Sequence, residues 1–590
     1  MKNKIIWTVV SGLMVLSLVM AACGPAEENG EVEEEVEAGA PEYGGTLTVA
    51  TTSEPDVSNS RGWPVYEQFM GGDWTRGPAG SGITDFASGA TALEDSMMPI
   101  LTESWEMPEP GLWIMKVRQG VHWQDTGTEA GDLMGGREMT VDDVVNSFNW
   151  QLHESGNKSW IHIGQPAVAE ASTIEKTGPW EITVRTPLDY LTSWTWIVQG
   201  AGYHRVYAYD VTKKYNHELI FRGEGWHYSE VVGTGPFYID EVVDGVSRNF
   251  KRNDNYWGID RLGPGKGNQT PYVDNYVELY IPDRSTSMAA MRTGQVAYTT
   301  GLTKEDWERE LELSPKLESS SYLQQTTLTR FILMRTDKPD LPFSDIRVRQ
   351  AMMMATDFNS LKDDYYGGAA EIDVWPLNSN FTGSGYLPLN EMPEAVKELY
   401  SYNPEKAKQL LTEAGYPDGF KTKILATSLG NDVDEIAIFK DMWARVGIEM
   451  EIDVREQGVF TQIQQSRDYD ELVYRMMWTT WPMMYYFSST RGPSTNNLSA
   501  INDPIGSDSI VENAFQAIND SMMVNMPEVY RQMEELRKYL MLQAHAIPRP
   551  TPYYYNVWQP WLKNYYGFSG AGTYAQYHWI DQDLKEEMGH

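Results

Sequence analysis

The chain has 590 residues and a formal net charge of −36, from 47 lysines and arginines against 83 aspartates and glutamates. Such an acidic chain is repelled by nucleic acid and by anionic lipid surfaces, so neither is an expected partner. Its length exceeds what one hydrophobic core usually supports, which predicts two or three domains.

The first 22 residues have the composition of a secretory signal peptide. Two lysines precede an apolar run from Ile5 to Met20, and this run is short for a membrane-spanning helix. We therefore expect residues 1–22 to be removed. The loss of Lys2 and Lys4 changes the net charge from −36 to −36 − 2 = −38.

Cys23, the only cysteine of the sequence, follows this segment directly. Residues 20–23, with two alanines before the cysteine, resemble the lipobox of bacterial lipoproteins, which implies that Cys23 is lipidated and becomes the mature N-terminus. An ordinary signal peptide with an incidental cysteine is the alternative. Acidic residues dominate the rest of 23–43, and a stretch with so few large apolar side chains is expected to be an extended tether.

Alternating polar and apolar residues predict strands in the following part of the chain. The alternation is present at 44–50, 112–118, 180–184, 421–426 and 448–452. Bounded by glycines and polar residues, these segments are the candidates for the sheets of the fold.

Helices are predicted where apolar residues recur at helical spacing. One begins at 140–143, where the residue types have the spacing of a capping box, and others lie at 348–355, 407–414, 436–446 and 529–540. The alternation of helices with strands indicates an α/β fold.

The stretch 126–137 is Gly-rich and acidic. We expect it to form a surface loop without functional consequence.

Seven blocks of residues carry a resemblance to a known family, and they occur in the family's order. The blocks are 101–106, 117–123, 139–144, 233–237, 252–257, 342–351 and 402–407. The chain from about residue 44 to about residue 567 thus resembles the peptide and oligopeptide-type (family 5) solute-binding lipoproteins of ABC transporters.

The resemblance implies an α/β fold of two lobes, the periplasmic-binding-protein type II-like fold, with an extra subdomain inserted in lobe one. Lobe one would comprise 44–320, with the subdomain at about 60–185, lobe two would comprise 321–545, and 546–590 would return to lobe one. The ligand is expected between the lobes, where contact with both lobes would stabilise the closed state.

The aromatic segment 477–487 resembles the family segment that lines this cleft. In peptide binders that segment carries an aspartate for the ammonium group of the ligand, whereas this chain has no acidic residue between Glu471 and Asp503. Because a buried ammonium needs a carboxylate partner, ordinary peptide recognition requires an acid from elsewhere in the chain. The ligand-binding candidates are Trp478, Trp481, Tyr485, Tyr486, Arg491, Tyr553, Tyr554 and Tyr555.

Each of these candidates has a structural alternative. Core packing is the usual role of a tryptophan or tyrosine, and a surface position is the usual outcome for an arginine. Rings with a polar tip also suit sugar faces and cations, so the aromatic composition alone does not distinguish a peptide from an oligosaccharide.

No catalytic site, metal or cofactor is expected. The nine histidines form no close ligand pair, and the one cysteine is assigned to the lipid anchor. A secreted glycoside hydrolase needs only a carboxylate pair and stays an alternative, as does a sensory binding protein.

The expected protein is a monomer on the extracytoplasmic face of the cell membrane, held there only through its lipid anchor. It would bind a peptide-like ligand, or alternatively an oligosaccharide or another small polar solute. Its partners would be the permease subunits of an ABC importer.

Overall fold

The computed structural model describes most of the chain from residue 39 to the C-terminus. The described ranges are 39–52, 64–75, 97–109, 111–154, 166–187, 205–217, 226–323, 329–379, 385–428, 432–476, 487, 489–522, 525–567 and 574–590. The predicted signal peptide and Cys23 lie outside these residues. Among the helices that are described, none is both long and apolar enough to cross a membrane.

The strands are numbered in chain order. They are β1 (Thr46–Thr51), β2 (Met70–Gly72), β3 (Met97–Pro99), β4 (Thr102–Glu109), β5 (Leu112–Val117), β6 (Thr173–Gly178), β7 (Glu181–Arg185), β8 (Phe237–Val243), β9 (Ser247–Arg252), β10 (Asn275–Tyr280), β11 (Tyr298–Leu302), β12 (Glu318–Leu323), β13 (Arg330–Met334), β14 (Ala370–Glu371), β15 (Phe420–Thr427), β16 (Ile448–Arg455), β17 (Leu472–Met476), β18 (Ala546–Pro548), β19 (Thr551–Trp558), β20 (Leu562–Lys563) and β21 (Trp579–Ile580).

The α-helices are numbered in the same way. They are α1 (Glu129–Met134), α2 (Val141–Asn149), α3 (Pro166–Ala171), α4 (Tyr209–Lys214), α5 (Arg284–Arg292), α6 (Lys304–Leu313), α7 (Ile346–Met354), α8 (Phe358–Ser360), α9 (Glu394–Leu399), α10 (Pro404–Glu413), α11 (Asp432–Ala444), α12 (Gln457–Ser466), α13 (Ser509–Ser521), α14 (Met526–Gln543) and α15 (Gln582–Glu587).

Four larger sheets carry the architecture. Their strand orders are β1-β10-β9-β8, β11-β19-β12 with β14 attached to β19, β4-β5-β7-β6, and β16-β15-β17-β13-β18. In the five-stranded sheet, β15 runs parallel to both β16 and β17, whereas β13 is antiparallel to β17. Strands and helices alternate along the chain, so the predicted α/β fold is confirmed.

Separate hydrophobic cores underlie these sheets. The largest lies against the five-stranded sheet and extends from Phe331 to Ile547 along the chain. A second core, around Trp113 and Trp123, belongs to the sheet of β4 to β7. A third combines Leu47 of β1 with side chains near the C-terminus. Separate cores are what a fold of lobes with an inserted subdomain requires.

The predicted capping box at the start of α2 is present. The hydroxyl of Thr140 accepts a hydrogen bond from the Asp143 N–H (3.3 Å), and the carboxylate of Asp143 accepts one from the Thr140 N–H (2.7 Å). The guanidinium of Arg137 donates to both oxygens of Asp143. The helix therefore begins where the sequence predicts, because its first free N–H groups are satisfied there.

The predicted surface stretch 126–137 is not a loop throughout, although several of its residues are exposed. This stretch contains α1, whose N-cap Thr128 accepts a hydrogen bond from the Gly131 N–H, and which ends at Gly135 in the left-handed conformation. Ala130 and Met134 are buried in the core of the β4 to β7 sheet. A helix of six residues leaves too little periodicity for the sequence to reveal it.

Two chain segments join the β11-β19-β12 sheet to the five-stranded sheet. One runs from β12 to β13 and the other from β18 to β19, and their described residues beside β13 and β19 lie close together. The Arg549 N–H donates to the carbonyl of Arg330 (3.1 Å), and the hydroxyls of Thr329 and Thr551 are 3.2 Å apart. The short strand β14 also pairs with β19, so a third segment joins this junction.

Candidate ligand-binding site

One edge of the five-stranded sheet collects the charged side chains of the site. β15 and β17 are parallel, so their carboxyl ends lie at the same edge. Arg330, at the start of β13, is registered opposite Met476 at the end of β17, and Arg549 follows β18 directly. Ligands of open α/β sheets bind in the crevice outside the carboxyl ends of the strands, so this edge is the candidate site.

Two ion pairs lie at this edge. Nη1 of Arg549 is 2.8 Å from Oε1 of Glu435, and Nε of Arg330 is 2.7 Å from Oδ1 of Asp432. Both acids belong to the first turn of α11, the helix that follows β15. Burial raises the pKa of the Asp432 carboxyl, and the neighbouring Arg330 opposes that rise. These four charges neutralise one another inside the protein.

Glu435 is the centre of a buried polar network. Its Oε1 also accepts a hydrogen bond from the Tyr366 hydroxyl (2.8 Å), and its Oε2 accepts one from the Tyr474 hydroxyl (2.5 Å). Both members of its ion pair with Arg549 are nearly inaccessible, with side chains 6% and 10% exposed. Three donors converge on the buried carboxylate of Glu435, so the network fixes the position of Glu435 and Arg549 at the edge.

Glu371 of β14 contributes a third carboxylate close to the junction. Its Oε1 accepts hydrogen bonds from the Tyr553 hydroxyl (2.6 Å) and from the Ser379 hydroxyl (2.8 Å). Burial, followed by the bond to Glu371, raises the pKa of the Tyr553 phenol. Glu371 is half-buried and has no ion-pair partner in the part of the chain that the structure describes.

The three predicted tyrosines of β19 make different contacts. Tyr553 reaches Glu371, whereas the ring of Tyr555 stacks on Trp307 with 4.5 Å between centroids. Tyr554 lies nearly perpendicular to Tyr322, at 6.3 Å. Tyr553 thus lies beside a site carboxylate, and a ligand-binding role for the three stays a prediction.

Arg491 lies in an ion pair of its own. Its Nε is 2.8 Å from Oε2 of Glu512, its Nη2 is 3.0 Å from Oε1, and its guanidinium is 3.8 Å from the ring centroid of Phe515. The hydrogen bonds from Arg491 lower the pKa of Glu512 to about 2. A ligand carboxylate at Arg491 would have to displace Glu512, and a binding role for Arg491 stays a prediction.

The remaining predicted site residues fall on the part of the chain between β17 and residue 487. Trp478, Trp481, Tyr485 and Tyr486 lie outside the described residues. Their predicted role is not tested, although β17 leads directly from the charged edge into this segment.

Sequence reasoning missed the charged residues of the edge. Asp432 and Glu435 precede a predicted helix that follows a predicted strand, and Arg549 follows the predicted return crossing, so a signal was present for these three. Glu371 gave none, because it lies in a two-residue strand within an irregular stretch.

A second polar cleft lies around Glu67 and is lined also by Ile100 and by residues 256–259. The carboxylate of Glu67, 1% exposed, accepts hydrogen bonds from the Tyr256 hydroxyl and from Nε1 of Trp257, both at 3.0 Å. Burial raises the pKa of Glu67 to about 7, opposed by these donors and by the nearby Arg118. The cavity measures about 20 Å³, which holds a water molecule and not an organic ligand.

Within the described ranges, no group of three or more His, Cys, Asp or Glu side chains is placed to hold a metal ion. The two polar clusters above are held by arginine and tyrosine donors instead. Their geometry suits the binding of polar groups through hydrogen bonds and charge.

Comparison with known proteins gives a family and several relatives. The profile of "Bacterial extracellular solute-binding proteins, family 5 Middle" matches residues 96–497. Heme-binding protein A of Haemophilus influenzae is 27% identical over 382 residues, which cover 62% of this chain and 63% of that protein. Oligopeptide-binding protein AppA of Bacillus subtilis is 23% identical over 511 residues, covering 82% and 83% of the two chains.

Solved structures share the fold. The periplasmic binding protein DppA from Helicobacter pylori, in complex with peptide STSA, superposes with a TM-score of 0.66 at 20% identity and covers 92% of this chain and 99% of its own. HbpA2 from Haemophilus parasuis gives the same TM-score at 18% identity, covering 91% and 100%. These matches support the predicted periplasmic-binding-protein fold over nearly the whole chain.

Proposed function

This chain belongs to the bacterial extracellular solute-binding proteins of family 5, and we propose that it captures a peptide-like ligand between two lobes and delivers it to an ABC importer. The family consists of binding proteins rather than enzymes, and it acts outside the cytoplasm. An oligosaccharide or another small polar solute is the alternative ligand.

The observation that carries the proposal is the charged edge of the five-stranded sheet beside the junction. A peptide offers N–H and C=O groups along its backbone and a charge at each end. The edge offers carboxylates, arginines and tyrosine hydroxyls within a small region. The named ligands of relatives include oligopeptides, dipeptides and glutathione, although heme also occurs among them.

We further propose that lobe one comprises 44–320 and 546–590, with an inserted subdomain at about 60–185, and that lobe two comprises 321–545. The separate cores described above support a division into lobes, and the core beside the five-stranded sheet continues through β18 to Ile547, past the proposed boundary at 545/546. The junction at Thr329 and Thr551 would be the hinge, because both connections between the lobes pass there. A ligand that contacts both lobes would favour the closed state by its differential affinity.

Peptide pools are expected to stabilise the purified mature protein against heat. A ligand that binds only the native state, at a hundredfold excess over its dissociation constant, adds about 2.7 kcal/mol to the free energy of unfolding. The measurement is thermal unfolding with pools of dipeptides to pentapeptides, and mass spectrometry of molecules released from the freshly purified protein. If oligosaccharide pools raise the midpoint temperature of unfolding and peptide pools do not, the ligand is an oligosaccharide and the proposed peptide-like ligand is wrong.

We also propose that Cys23 carries a lipid anchor and that residues 24–43 form the tether. Replacement of Cys23 by alanine is expected to move the protein from the membrane fraction to the soluble extracytoplasmic fraction, because acyl chains supply the membrane affinity. Fractionation and the intact mass of the mature protein measure this. A wild-type mass without any acyl addition would contradict the anchor and leave the binding function untouched.

A further inference from the structure

We propose that Glu371 binds a protonated amino group of the ligand. The inference rests on the proposed function, since it assigns a residue and a chemical group to the same cleft. It is independent of which further residues complete the site.

Glu371 differs from the other buried or half-buried acids near the edge in having no cation beside it. Asp432 pairs with Arg330 and Glu435 pairs with Arg549. Even Asp373, two residues further along the same stretch, pairs with the fully buried Arg537. The structure gives each of these three acids an arginine, and among the described residues it gives Glu371 only hydroxyl groups.

Counting the charges of the edge gives the same result. Of the five charged groups named above, Glu371, Asp432 and Glu435 contribute three negative charges and Arg330 and Arg549 two positive ones, so the sum of this set is 2 − 3 = −1. Arg475, near the end of β17, donates to the Thr495 carbonyl and to Asn496 and is not part of the set. The uncompensated charge belongs to Glu371. A ligand that brings a positive group would complete this balance in a partly desolvated place, where a charge pair is stronger than in water.

The two hydroxyl groups also determine which oxygen of the Glu371 carboxylate is left to accept a hydrogen bond from a ligand. Both the Tyr553 hydroxyl and the Ser379 hydroxyl donate to Oε1. In the described part of the chain no donor reaches Oε2, which is therefore the oxygen available to a ligand. Glu371 is registered opposite Thr551, and Tyr553 is held in β19, so the carboxylate has a defined position beside the junction.

This arrangement favours an ammonium over a guanidinium group. A guanidinium binds a carboxylate best as a fork that uses both oxygens, and here Oε1 already accepts two hydrogen bonds. An ammonium group is a compact charge with three donors and needs only one free oxygen. The ligand group that fits Glu371 is therefore a protonated amine, such as the free N-terminus of a peptide.

The alternative is that Glu371 has no role in binding and that its carboxylate is hydrogen-bonded only to water and to the two hydroxyl groups. On that alternative, removal of the charge leaves ligand affinity unchanged. Binding measurements can separate the two, because a charge-assisted hydrogen bond and a water-satisfied surface acid predict different affinities.

The test uses the mature protein and a pool of dipeptides and tripeptides that lack lysine and arginine. Native mass spectrometry identifies the peptide of the pool that binds best, and calorimetry then compares that peptide with its N-acetylated form. We expect acetylation to weaken binding to the wild type by about 10- to 100-fold, because it removes a charge-assisted hydrogen bond. Glu371→Gln, which keeps the shape of the side chain, is expected to weaken binding of the unmodified peptide by a similar factor.

The matched control is Glu391→Gln. Glu391 is an exposed glutamate in the same proposed lobe, 321–545, and its variant should retain wild-type affinity. Acetylation that weakens binding less than threefold would overturn the role of Glu371 even if the variant failed to fold, since it is measured on the wild type. Equal affinities of wild type and Glu371→Gln would overturn it as well, while the proposed function would stand. If no peptide of any pool binds the wild type, the proposed function itself fails.

Discussion

Replacement of Arg549 by methionine is expected to lower the free energy of unfolding by about 3–5 kcal/mol, because it leaves the buried carboxylate of Glu435 without its cation. The hydroxyls of Tyr366 and Tyr474 would remain as its only donors among the described residues. The guanidinium of Arg549 is itself buried, so water cannot take its place easily. Urea denaturation of wild type and variant measures the loss. The dependence of the unfolding free energy on urea concentration is compared between the two proteins as well.

The double variant Arg549→Met with Glu435→Leu separates the charge from the packing. Removal of both charges eliminates the uncompensated carboxylate, so we expect the double variant to regain a large part of the stability that the single variant loses. Lys421→Met is the matched surface control, because Lys421 and Glu449 form an ion pair in the same sheet with side chains 86% and 69% exposed. Its loss should stay below about 1 kcal/mol. A loss that small for Arg549→Met would contradict the view that the folded protein depends on this ion pair.

Helices of this fold were predictable from the sequence where capping residues mark the first turn. The helix α2 begins at a capping box, and α10 begins at Asn403 followed by Pro404, whose missing N–H costs nothing at a first helical position. Both signals involve residues within four positions of one another. The helix α1 was missed because a helix of six residues shows hardly more than one turn of its apolar face.

The candidate site was predictable only in part, for a physical reason. The predicted tyrosine Tyr553 does lie at the junction, because β19 follows a recognisable crossing. The ion pairs of the edge join residues that are 102 and 114 positions apart, so no local pattern announces them. Their pairing depends on strand order, with β13 between β17 and β18, and strand order is a property of the whole fold.

Two buried carboxylates, those of Glu435 and Glu67, are held in opposite ways. Glu435 is compensated by Arg549 at 2.8 Å, whereas Glu67 receives neutral donors from Tyr256 and Trp257 and has no ion pair among the described residues. Neutral donors offset the loss of hydration only partly, and burial therefore raises the pKa of Glu67 to about 7. The carboxylate of Glu67 is thus a cost to the folded state whenever it is ionised.

Replacement of Glu67 by glutamine is expected to stabilise the protein at pH 8 and to leave its stability unchanged near pH 4. The ordinary pKa of a glutamate is 4.5 and that of Glu67 is about 7, so between these values the unfolded chain loses the proton and the folded protein keeps it. The wild type therefore loses stability as the pH rises through this window, by about 3 kcal/mol in total, and the variant does not. Thermal unfolding at half-unit steps from pH 4 to pH 8 measures the difference.

Glutamine suits this test because it can keep both hydrogen bonds. Its oxygen can accept from Nε1 of Trp257, and its amide can donate to the Tyr256 hydroxyl, which turns from donor to acceptor. A constant offset between the two proteins at every pH would indicate a packing effect instead of a titration. A variant that is less stable than the wild type at pH 8 would show that the ionised carboxylate, with Arg118 nearby, is favourable in the folded protein, and would contradict the raised pKa.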